Sequence, residues 1–323
     1  MAVYTEVPDD ELASFIDSYG LGELVSFKGI AEGVENSNYL VATTSGHYIL
    51  TLYEKRVASE DLPFFLGLME HLAATGFTCP TPLRDRQGRN LRQLCGRPAA
   101  IVTFLDGIWV RRPKPHHCQR AGEAMARLHR DSSGFAITRT NALGPGGWPP
   151  LFEKFASQAG GISPGLGDII STELQTLLPQ WPATLPQGII HADLFPDNLF
   201  FRGEDVSGVI DFYFACNDSL AYDIAICLNA WCFEADLSFN ITKGQALLRG
   251  YQSVRPLTAA EQAAIPILCR GAALRFLLTR AYDWLNTSAD AFVKPHDPLE
   301  YLRRLRFHQT VSSASEYGLE DAR

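Results

Sequence analysis

The sequence predicts an α+β protein with two lobes, a small strand-rich amino-terminal lobe and a larger, mainly helical carboxy-terminal lobe. Strand-type segments dominate the first hundred residues, and helical periods dominate the rest of the chain. One strand-type hairpin interrupts those helices near residues 198–213. We place a hinge at residues 103–107, which gives lobes of residues 1–102 and 108–323.

The amino-terminal lobe is expected to begin with a helix. Acidic residues fill the first turn of this segment, Leu12, Phe15 and Ile16 form an apolar stripe, and glycines end it. Segments rich in β-branched and aromatic residues follow, separated by turn signals, which is typical of strands. The helix is predicted at 8–24, strands at 24–30, 36–44 and 47–54, a second helix at 59–77, and further short strands at 79–107.

The carboxy-terminal lobe is expected to be helical apart from the hairpin. In its first helical segment Ala121, Met125 and Leu128 recur on one face, and a stretch rich in glycine and proline follows. The hairpin arms lie around a Gly-Glu-Asp turn. Helices are predicted at 116–132, 164–181, 221–234, 242–254 and 263–285, and the hairpin arms at 199–201 and 206–210.

The composition is that of an ordinary globular protein, with 46% hydrophobic residues, 20% charged residues and a net charge of −8. This negative charge argues against a nucleic-acid partner, which binds through phosphate neutralisation. The seven cysteines are scattered without a C-x-x-C pair, as is typical of reduced thiols. The sequence begins without a secretory signal, and no apolar run approaches the roughly 20 residues of a membrane span. We therefore expect a cytoplasmic protein without a membrane partner, and the oligomeric state stays open.

The most polar motif, "IIHADLFPDNLF" at 189–200, leads directly into the hairpin. Asp193 and Asn198 precede the first arm, and Asp211 follows the second. Because a hairpin returns the chain to its starting point, we expect Asn198 and Asp211 to lie side by side, with Asp193 close by. Oxygen ligands without His or Cys suit Mg²⁺, which binds one or two carboxylates together with substrate phosphates. The alternative is a structural loop whose polar residues only cap a turn.

Phosphoryl transfer uses such a set of residues. One aspartate accepts the proton of the substrate hydroxyl, while an asparagine and a second aspartate hold Mg²⁺ on the phosphates of ATP. "HADLFPDN" and "DFY" resemble the paired kinase motifs H-R-D-x-x-x-x-N and D-F-G. Ala192 replaces the arginine, Tyr213 replaces the glycine, and Asp223 follows Asp211 at an interval of only twelve positions. That interval is too short for a segment that docks a protein substrate, so we expect a small-molecule substrate.

Together with "MARLHR" and "AYDIA", these motifs resemble the aminoglycoside phosphotransferase/choline kinase-like family over most of the chain. The resemblance implies a protein-kinase-like fold, ATP and Mg²⁺ as cofactors, and catalytic roles for Asp193, Asn198 and Asp211. It also implies that His129 is structural and that Asp223 braces the catalytic loop. In this family the residue between the motif's histidine and aspartate is usually glycine, so Ala192 is a mild variation.

Several further segments are most similar to the branch of that family that acts on homoserine. The similarity implies phosphorylation of the hydroxyl of L-homoserine, a step of threonine biosynthesis. A kinase of another small alcohol, such as choline, an aminoglycoside or a methylthio-sugar, stays open, and so does a nucleotide-binding pseudokinase. The segments are "GVENSNYLV", "YILTLYEKR", "DLPFFLGLMEHLA", "HADLFPDN", "DFYFACND" and "YDIAICLNAWCFE".

The resemblance places the loop between the first two strands over the phosphates. Glycine lets the backbone approach a phosphate, and short polar side chains donate hydrogen bonds to it. The candidates are Gly33, Asn36, Ser37 and Asn38, although a plain β-turn explains them equally well.

The third strand departs from the kinase pattern, because Thr51 stands where kinases place a lysine that pairs with the phosphates. Lys55 or an arginine could substitute, or Mg²⁺ could neutralise more of the charge. The adenine is expected on the backbone of Thr103, Phe104 and Leu105, at the hinge.

Homoserine carries a carboxylate and an ammonium group beside its reacting hydroxyl. A carboxylate favours the two-pronged guanidinium group of arginine, and an ammonium group favours carboxylate and amide oxygens. Taken singly, each candidate is more often a surface or helix-packing residue than a substrate ligand. The candidates are Arg275, Arg280, Asn229, Trp231 and Glu234.

Overall fold

The computed structural model of the chain describes residues 4–30, 36–54, 58–287 and 294–319. A β-sheet forms its amino-terminal part and helices dominate its carboxy-terminal part, which confirms the predicted α+β class. The hinge and the lobe bounds stay predictions. The chain divides into two compact units, the first Met1–Gly107 with Phe135–Ile137 and Ser207–Tyr213, and the second Ile108–Gly134, Thr138–Val206 and Phe214–Arg323.

The first unit contains an antiparallel sheet and two helices. Its elements are α1 Asp9–Tyr19, β1 Leu24–Gly29, β2 Ser37–Thr43, β3 Gly46–Leu52, α2 Leu62–Ala74, β4 Arg92–Leu94 and β5 Arg97–Thr103. The strand order is β1-β2-β3-β5-β4. Along β2 buried and half-buried residues alternate, so one face of the sheet is turned to the core. In the β2–β3 register Asn38 lies opposite Thr51.

Helix α1 forms as its sequence predicts. Three acids occupy its first turn, where they interact favourably with the helix dipole, and Gly20 ends it with a φ of 70°. Its fully buried Leu12 and Ile16 belong to the same apolar cluster as Leu50 and Ile101 of the sheet. Each such side chain contributes about 1.5–3 kcal/mol by its burial.

The rest of the chain is mainly helical, and the predicted helices and hairpin are confirmed. Helices at 148–153, 159–162 and 299–308 and a pair of four-residue strands at 187–190 and 216–219 were not predicted. The elements are α3 Pro115–Asp131, α4 Trp148–Glu153, α5 Ala159–Ile162, α6 Leu166–Leu177, β6 Gln187–Ile190, β7 Leu199–Arg202, β8 Asp205–Val209, β9 Cys216–Ser219, α7 Leu220–Trp231, α8 Ile241–Gln252, α9 Ala259–Asn286 and α10 Leu299–His308. Strands β7 and β8 form the hairpin.

Helices α3 and α8 approach each other closely through two glycines. A Cβ atom on Gly122 would lie 2.1 Å from the carbonyl oxygen of Leu247, and one on Gly250 would lie 2.0 Å from that of Gln119. Neither position can therefore hold a larger residue without separating the helices. This contact brings Tyr251, next to Gly250, against α3, where it bonds to His129.

No helix within the described ranges is both long enough and apolar enough to cross a bilayer.

Candidate active site

The catalytic loop, residues 191–198, begins where strand β6 ends. Strand β6 pairs with β9 in a register that sets Ile190 opposite Cys216, and helix α7 starts directly after β9. The start of the loop and the first turn of α7 are therefore neighbours. At Ala192 the backbone has a φ of 62°, in the left-handed region. A residue with a Cβ atom pays about 1 kcal/mol there, so this conformation needs support from its surroundings.

Asp223 in the first turn of α7 supplies that support. Its carboxylate accepts hydrogen bonds from the backbone N–H groups of His191 at 2.8 Å and of Ala192 at 2.9 Å. It also bonds to Nε2 of His129 at 3.0 Å, whose Nδ1 bonds to the Tyr251 hydroxyl at 2.9 Å. These contacts confirm that Asp223 braces the loop and that His129 is structural.

The Asp223 carboxylate is completely buried and ionised. Burial alone raises the pKa of such a carboxyl. The hydrogen bond and charge of His129, together with His191, outweigh the burial and hold the pKa of Asp223 below its usual value. An ionised carboxylate only accepts hydrogen bonds, which is what the two loop N–H groups require.

Two further residues of α7 hold the next part of the loop. The Trp231 Nε1–H donates to the carbonyl oxygen of Leu194 at 2.7 Å, and the Cys227 thiol contacts the same oxygen at 3.5 Å. Asp223, Cys227 and Trp231 follow each other at intervals of four, so they lie on one face of the helix. The ring N–H of Trp231, a predicted substrate residue, is thus committed to the loop, which favours a structural role.

Arg275 of α9 contacts the loop from another direction. Its Nη1 donates to the carbonyl oxygen of Ala192, and its guanidinium carbon lies 4.4 Å from the ring centroid of Phe276. The side chain is almost fully buried. Arg275 was predicted to bind a substrate carboxylate, whereas its observed contact supports the strained residue of the loop.

Asp193 and Asn198 face each other across the turn of the loop. The Asn198 Nδ2 donates to the Asp193 carbonyl oxygen at 2.8 Å, which fixes the orientation of the amide. Asn198 Oδ1, an acceptor only, is left for another ligand, since it accepts no hydrogen bond from a described residue. Asp193 is partly exposed, as a residue that meets a substrate must be, whereas Asn198 is buried.

Asp211 follows strand β8 in the first unit, and its φ of 63° is again left-handed. Its predicted position beside Asn198, which belongs to the second unit, stays a prediction. No group of three or more His, Cys, Asp and Glu side chains suited to a metal ion occurs among the described residues. A pair formed by Asn198 and Asp211 contains only one carboxylate, so it would need phosphate oxygens to complete a metal site.

Tyr213, which stands in place of the D-F-G glycine, joins a buried cluster of the first unit. Its hydroxyl shares a hydrogen bond of 3.4 Å with that of Tyr53 and also bonds to Thr51. Burial raises the pKa of Tyr213 to about 12, so its hydroxyl stays protonated. The Thr51 hydroxyl donates to Asn38 Oδ1 at 2.8 Å. In place of the lysine that kinases have on the third strand, the described part of the chain has this uncharged hydrogen-bond network.

Other predicted nucleotide residues have contacts within the first unit. Ser37 Oγ accepts from the backbone N–H groups of Tyr4 and Thr5 and donates to Glu54 Oε1 at 2.8 Å. Asn36 Oδ1 accepts from the Glu54 N–H at 3.3 Å. Both side chains are buried, and these contacts favour a structural role over contact with a phosphate.

The remaining nucleotide candidates are only partly covered by the described residues. Gly33 and Lys55 lie outside the described residues. Thr103 ends β5 with its hydroxyl accepting from the Thr81 N–H at 2.9 Å, and Phe104 after it is exposed. The side chain of Leu105 packs where a Cβ atom on Gly208 would otherwise lie. Contact of this segment with adenine stays a prediction.

The remaining substrate candidates differ in their surroundings. Asn229 is completely buried, and its amide bonds to the carbonyl oxygens of Ala225 and Cys269 and to His308, which favours a structural role. Glu234 is half-exposed and forms an ion pair of 2.7 Å with Lys243, which lowers the pKa of its carboxyl.

Arg280 of α9 contacts the last helix, which was not predicted. Its Nη1 donates to Glu300 Oε2 at 2.8 Å, and its guanidinium carbon lies 4.6 Å from the ring centroid of Tyr301. Because this helix was not predicted, its residues Tyr301 and Arg304 were not among the predicted site residues. Leucines at 299, 302 and 305 recur at helical spacing and were a signal for this helix.

Comparison with known proteins gives relatives that span the whole chain. The homoserine kinase of Rhodopseudomonas palustris (strain TIE-1) is 61% identical over 323 residues, which are 100% of this chain and 99% of that protein. The homoserine kinase of Xanthobacter autotrophicus (strain ATCC BAA-1158 / Py2) is 61% identical over 319 residues, with 99% of each chain covered.

Solved structures share the fold at low sequence identity. An amicoumacin kinase has a TM-score of 0.70 and 15% identity, with 95% of each chain covered. A choline kinase from Cryptosporidium parvum Iowa II has a TM-score of 0.69 and 13% identity, with 94% of each chain covered. These similarities confirm the predicted protein-kinase-like fold. The pattern of the phosphotransferase enzyme family matches residues 26–257 of the sequence, and the chain belongs to this family.

Proposed function

We propose that the protein transfers the γ-phosphoryl group of ATP to the side-chain hydroxyl of L-homoserine, which forms O-phosphohomoserine in threonine biosynthesis. The observation that carries this proposal is the identity of about 60% to homoserine kinases over the full length of both chains. The architecture of the catalytic loop supports the chemistry, because buried side chains fix the backbone around a partly exposed aspartate.

Asp193 acts on the homoserine hydroxyl. Its carboxylate accepts the hydroxyl proton, or a hydrogen bond that orients the oxygen toward the phosphorus atom. The loop backbone on both sides of Asp193 is held, by Asp223 and Arg275 before it and by Trp231 after it. Correct placement of the attacking oxygen contributes much of the rate in such a reaction, since little covalent chemistry falls to the protein.

Asn198 and Asp211 would hold Mg²⁺ on the nucleotide phosphates. Their donor atoms are amide and carboxylate oxygens, which fit this ion, and the contact of Asn198 with Asp193 engages the amide nitrogen and not the amide oxygen. When bound, the ion would neutralise the phosphate charge and orient the γ-phosphoryl group. The amicoumacin kinase that shares the fold was solved in complex with AMP-PNP and Ca²⁺.

A coupled assay of ADP release tests the proposal. L-Homoserine, choline, an aminoglycoside and a methylthio-sugar are supplied separately as acceptors at the same MgATP concentration. We expect turnover with homoserine and little with the others. Preference for another alcohol would replace the proposed substrate. Absence of ADP release with every alcohol, combined with MgATP binding in calorimetry, would favour the pseudokinase.

A further inference from the structure

Two arginines of the second unit lie against one buried tyrosine near the catalytic loop. The guanidinium carbon of Arg280 lies 4.6 Å from the ring centroid of Tyr301, and that of Arg304 lies 4.5 Å from it. Tyr301 stacks on Phe276, with ring centroids 5.0 Å apart, and Phe276 in turn contacts Phe195 of the catalytic loop. The tyrosine is therefore two aromatic contacts away from the loop that carries Asp193.

Within the described ranges, each arginine is anchored through one nitrogen. Nη1 of Arg280 donates to Glu300 and more weakly to the carbonyl oxygen of Asp297, and Nη1 of Arg304 donates to the carbonyl oxygen of Asn229 at 2.8 Å. Neither Nε nor Nη2 of either residue donates a hydrogen bond to a described residue. Nε and Nη2 form the edge of a guanidinium group that binds a carboxylate with two parallel hydrogen bonds.

Two polar atoms in this cluster are buried without a partner among the described residues. They are Nε of Arg304 and the hydroxyl of Tyr301, a residue that is completely buried. A buried donor without an acceptor costs roughly 1–3 kcal/mol. Such donors are rare in folded proteins, and a ligand that accepts from them removes this cost.

The charges around Tyr301 favour a ligand group with a single negative charge. Burial raises the pKa of Tyr301, and the surrounding charges are those of Arg304, Arg280, Asp193 and Arg275. The phenol therefore stays protonated as a neutral donor, and the guanidinium groups supply the positive charge.

We propose that Arg280, Arg304 and Tyr301 bind the α-carboxylate of the amino-acid substrate and so determine the specificity for an amino acid over a simple amino alcohol. This inference rests on the proposed function. Homoserine spans about 5 Å from its hydroxyl oxygen to its carboxylate carbon, since four bonds of about 1.5 Å join them. The anchored arginines hold the carboxylate at one end, and Asp193 meets the hydroxyl at the other. Arg275, whose Nη1 supports Ala192, is a positioning residue in this arrangement.

Kinetics with two matched acceptors test the proposal. 3-Aminopropan-1-ol is homoserine without its carboxylate, so it reacts at the same hydroxyl but cannot use the carboxylate site. In Arg280→Met and Arg304→Met we expect the KM for L-homoserine to rise about 10- to 100-fold. The KM for ATP and kcat/KM for 3-aminopropan-1-ol are expected to stay within about twofold. Tyr301→Phe is expected to raise the homoserine KM by a smaller factor, because it removes one neutral donor.

Three further variants separate substrate binding from structure. Arg303→Met alters an exposed arginine next to Arg304 on the same helix and is expected to behave as the wild type. Glu300→Gln removes the ion-pair partner of Arg280 and is expected to keep the homoserine KM within about threefold. Arg280→Lys keeps the positive charge but cannot form two parallel hydrogen bonds to a carboxylate. It replaces Arg280→Met as the test if that variant does not fold.

The outcomes distinguish this inference from the proposed function. Wild-type protein without turnover of homoserine would overturn the proposed function and the carboxylate site together. Wild-type turnover with an unchanged homoserine KM in the arginine variants would overturn the carboxylate site alone. It would also be overturned if both acceptors lost activity equally, or if Glu300→Gln reproduced Arg280→Met, because the arginines would then have a structural role.

Discussion

The catalytic loop and the third strand hold their polar groups in opposite ways. Around the loop the groups are charged, with buried Asp223 and Arg275 bonded to the backbone of residues 191–192. Around β3 they are neutral, with Thr51 bonded to Asn38 and to Tyr213. The reason lies in the backbone. Strand β3 already has its N–H and C=O groups paired in the sheet, whereas the left-handed loop has no such ladder and needs strong side-chain partners.

The largest effect is expected from substitution of Asp193, the proposed catalytic aspartate of the loop. Asp193→Asn keeps the size of the side chain but cannot accept the hydroxyl proton. We expect kcat to fall by about 10²–10⁴-fold, with the KM for ATP little changed, in steady-state ADP release. Asp205→Asn, at the exposed first residue of strand β8, is the matched control. Near-normal turnover in Asp193→Asn would show that another group acts on the hydroxyl.

The second effect concerns the charged brace. Asp223→Asn leaves an amide where two N–H groups and His129 need an ionised acceptor. We expect the free energy of unfolding in urea to fall by about 3 kcal/mol, and kcat to fall because the loop relaxes. Asp168→Asn, at an exposed position in the first turn of α6, is the control. A stable variant with unchanged kcat would mean that the loop holds its conformation without the carboxylate.

The pH dependence of stability tests whether Asp223 is ionised in the folded protein. The pKa of Asp223 is lowered in the folded state, so its contribution is fully present above the unfolded-state pKa of about 4 and is lost as the pH falls through the lower folded value. We therefore expect the difference in unfolding free energy between wild type and Asp223→Asn to be constant from about pH 6 to 8. It should narrow below about pH 4. A difference that widened on acidification would contradict an ionised brace.

The smallest effect is expected from substitution of Thr51, in the uncharged network around β3. Thr51→Val removes the hydroxyl that donates to Asn38 and keeps the branched shape of the side chain. We expect a loss of about 1 kcal/mol in unfolding free energy and a change in the KM for ATP of less than about threefold. Urea unfolding and ATP titration of the initial rate measure both. A much larger rise in KM would show that Thr51 itself contacts the nucleotide.

Local patterns in the sequence predicted most of the elements. The acidic first turn and apolar stripe of α1, and the alternation of β2, are properties of neighbouring residues, and they hold in the structure. Strands β6 and β9 have only four residues each, too few for a period, and form because they pair with each other. Helix α10 was missed although Leu299, Leu302 and Leu305 recur at helical spacing in its sequence.

The sequence by itself determined the family resemblance, the α+β class and the motifs that carry Asp193, Asn198 and Asp211, since these depend on residue type and spacing. Only the tertiary structure decided which polar side chains are already committed. Trp231 and Arg275, predicted as substrate residues, bond to the loop, while Arg304 and Tyr301 on the missed helix have buried donors without a partner among the described residues. Hydrogen-bond partners come from parts of the chain far apart in sequence, as Arg275 and Ala192 do, so no local pattern records them.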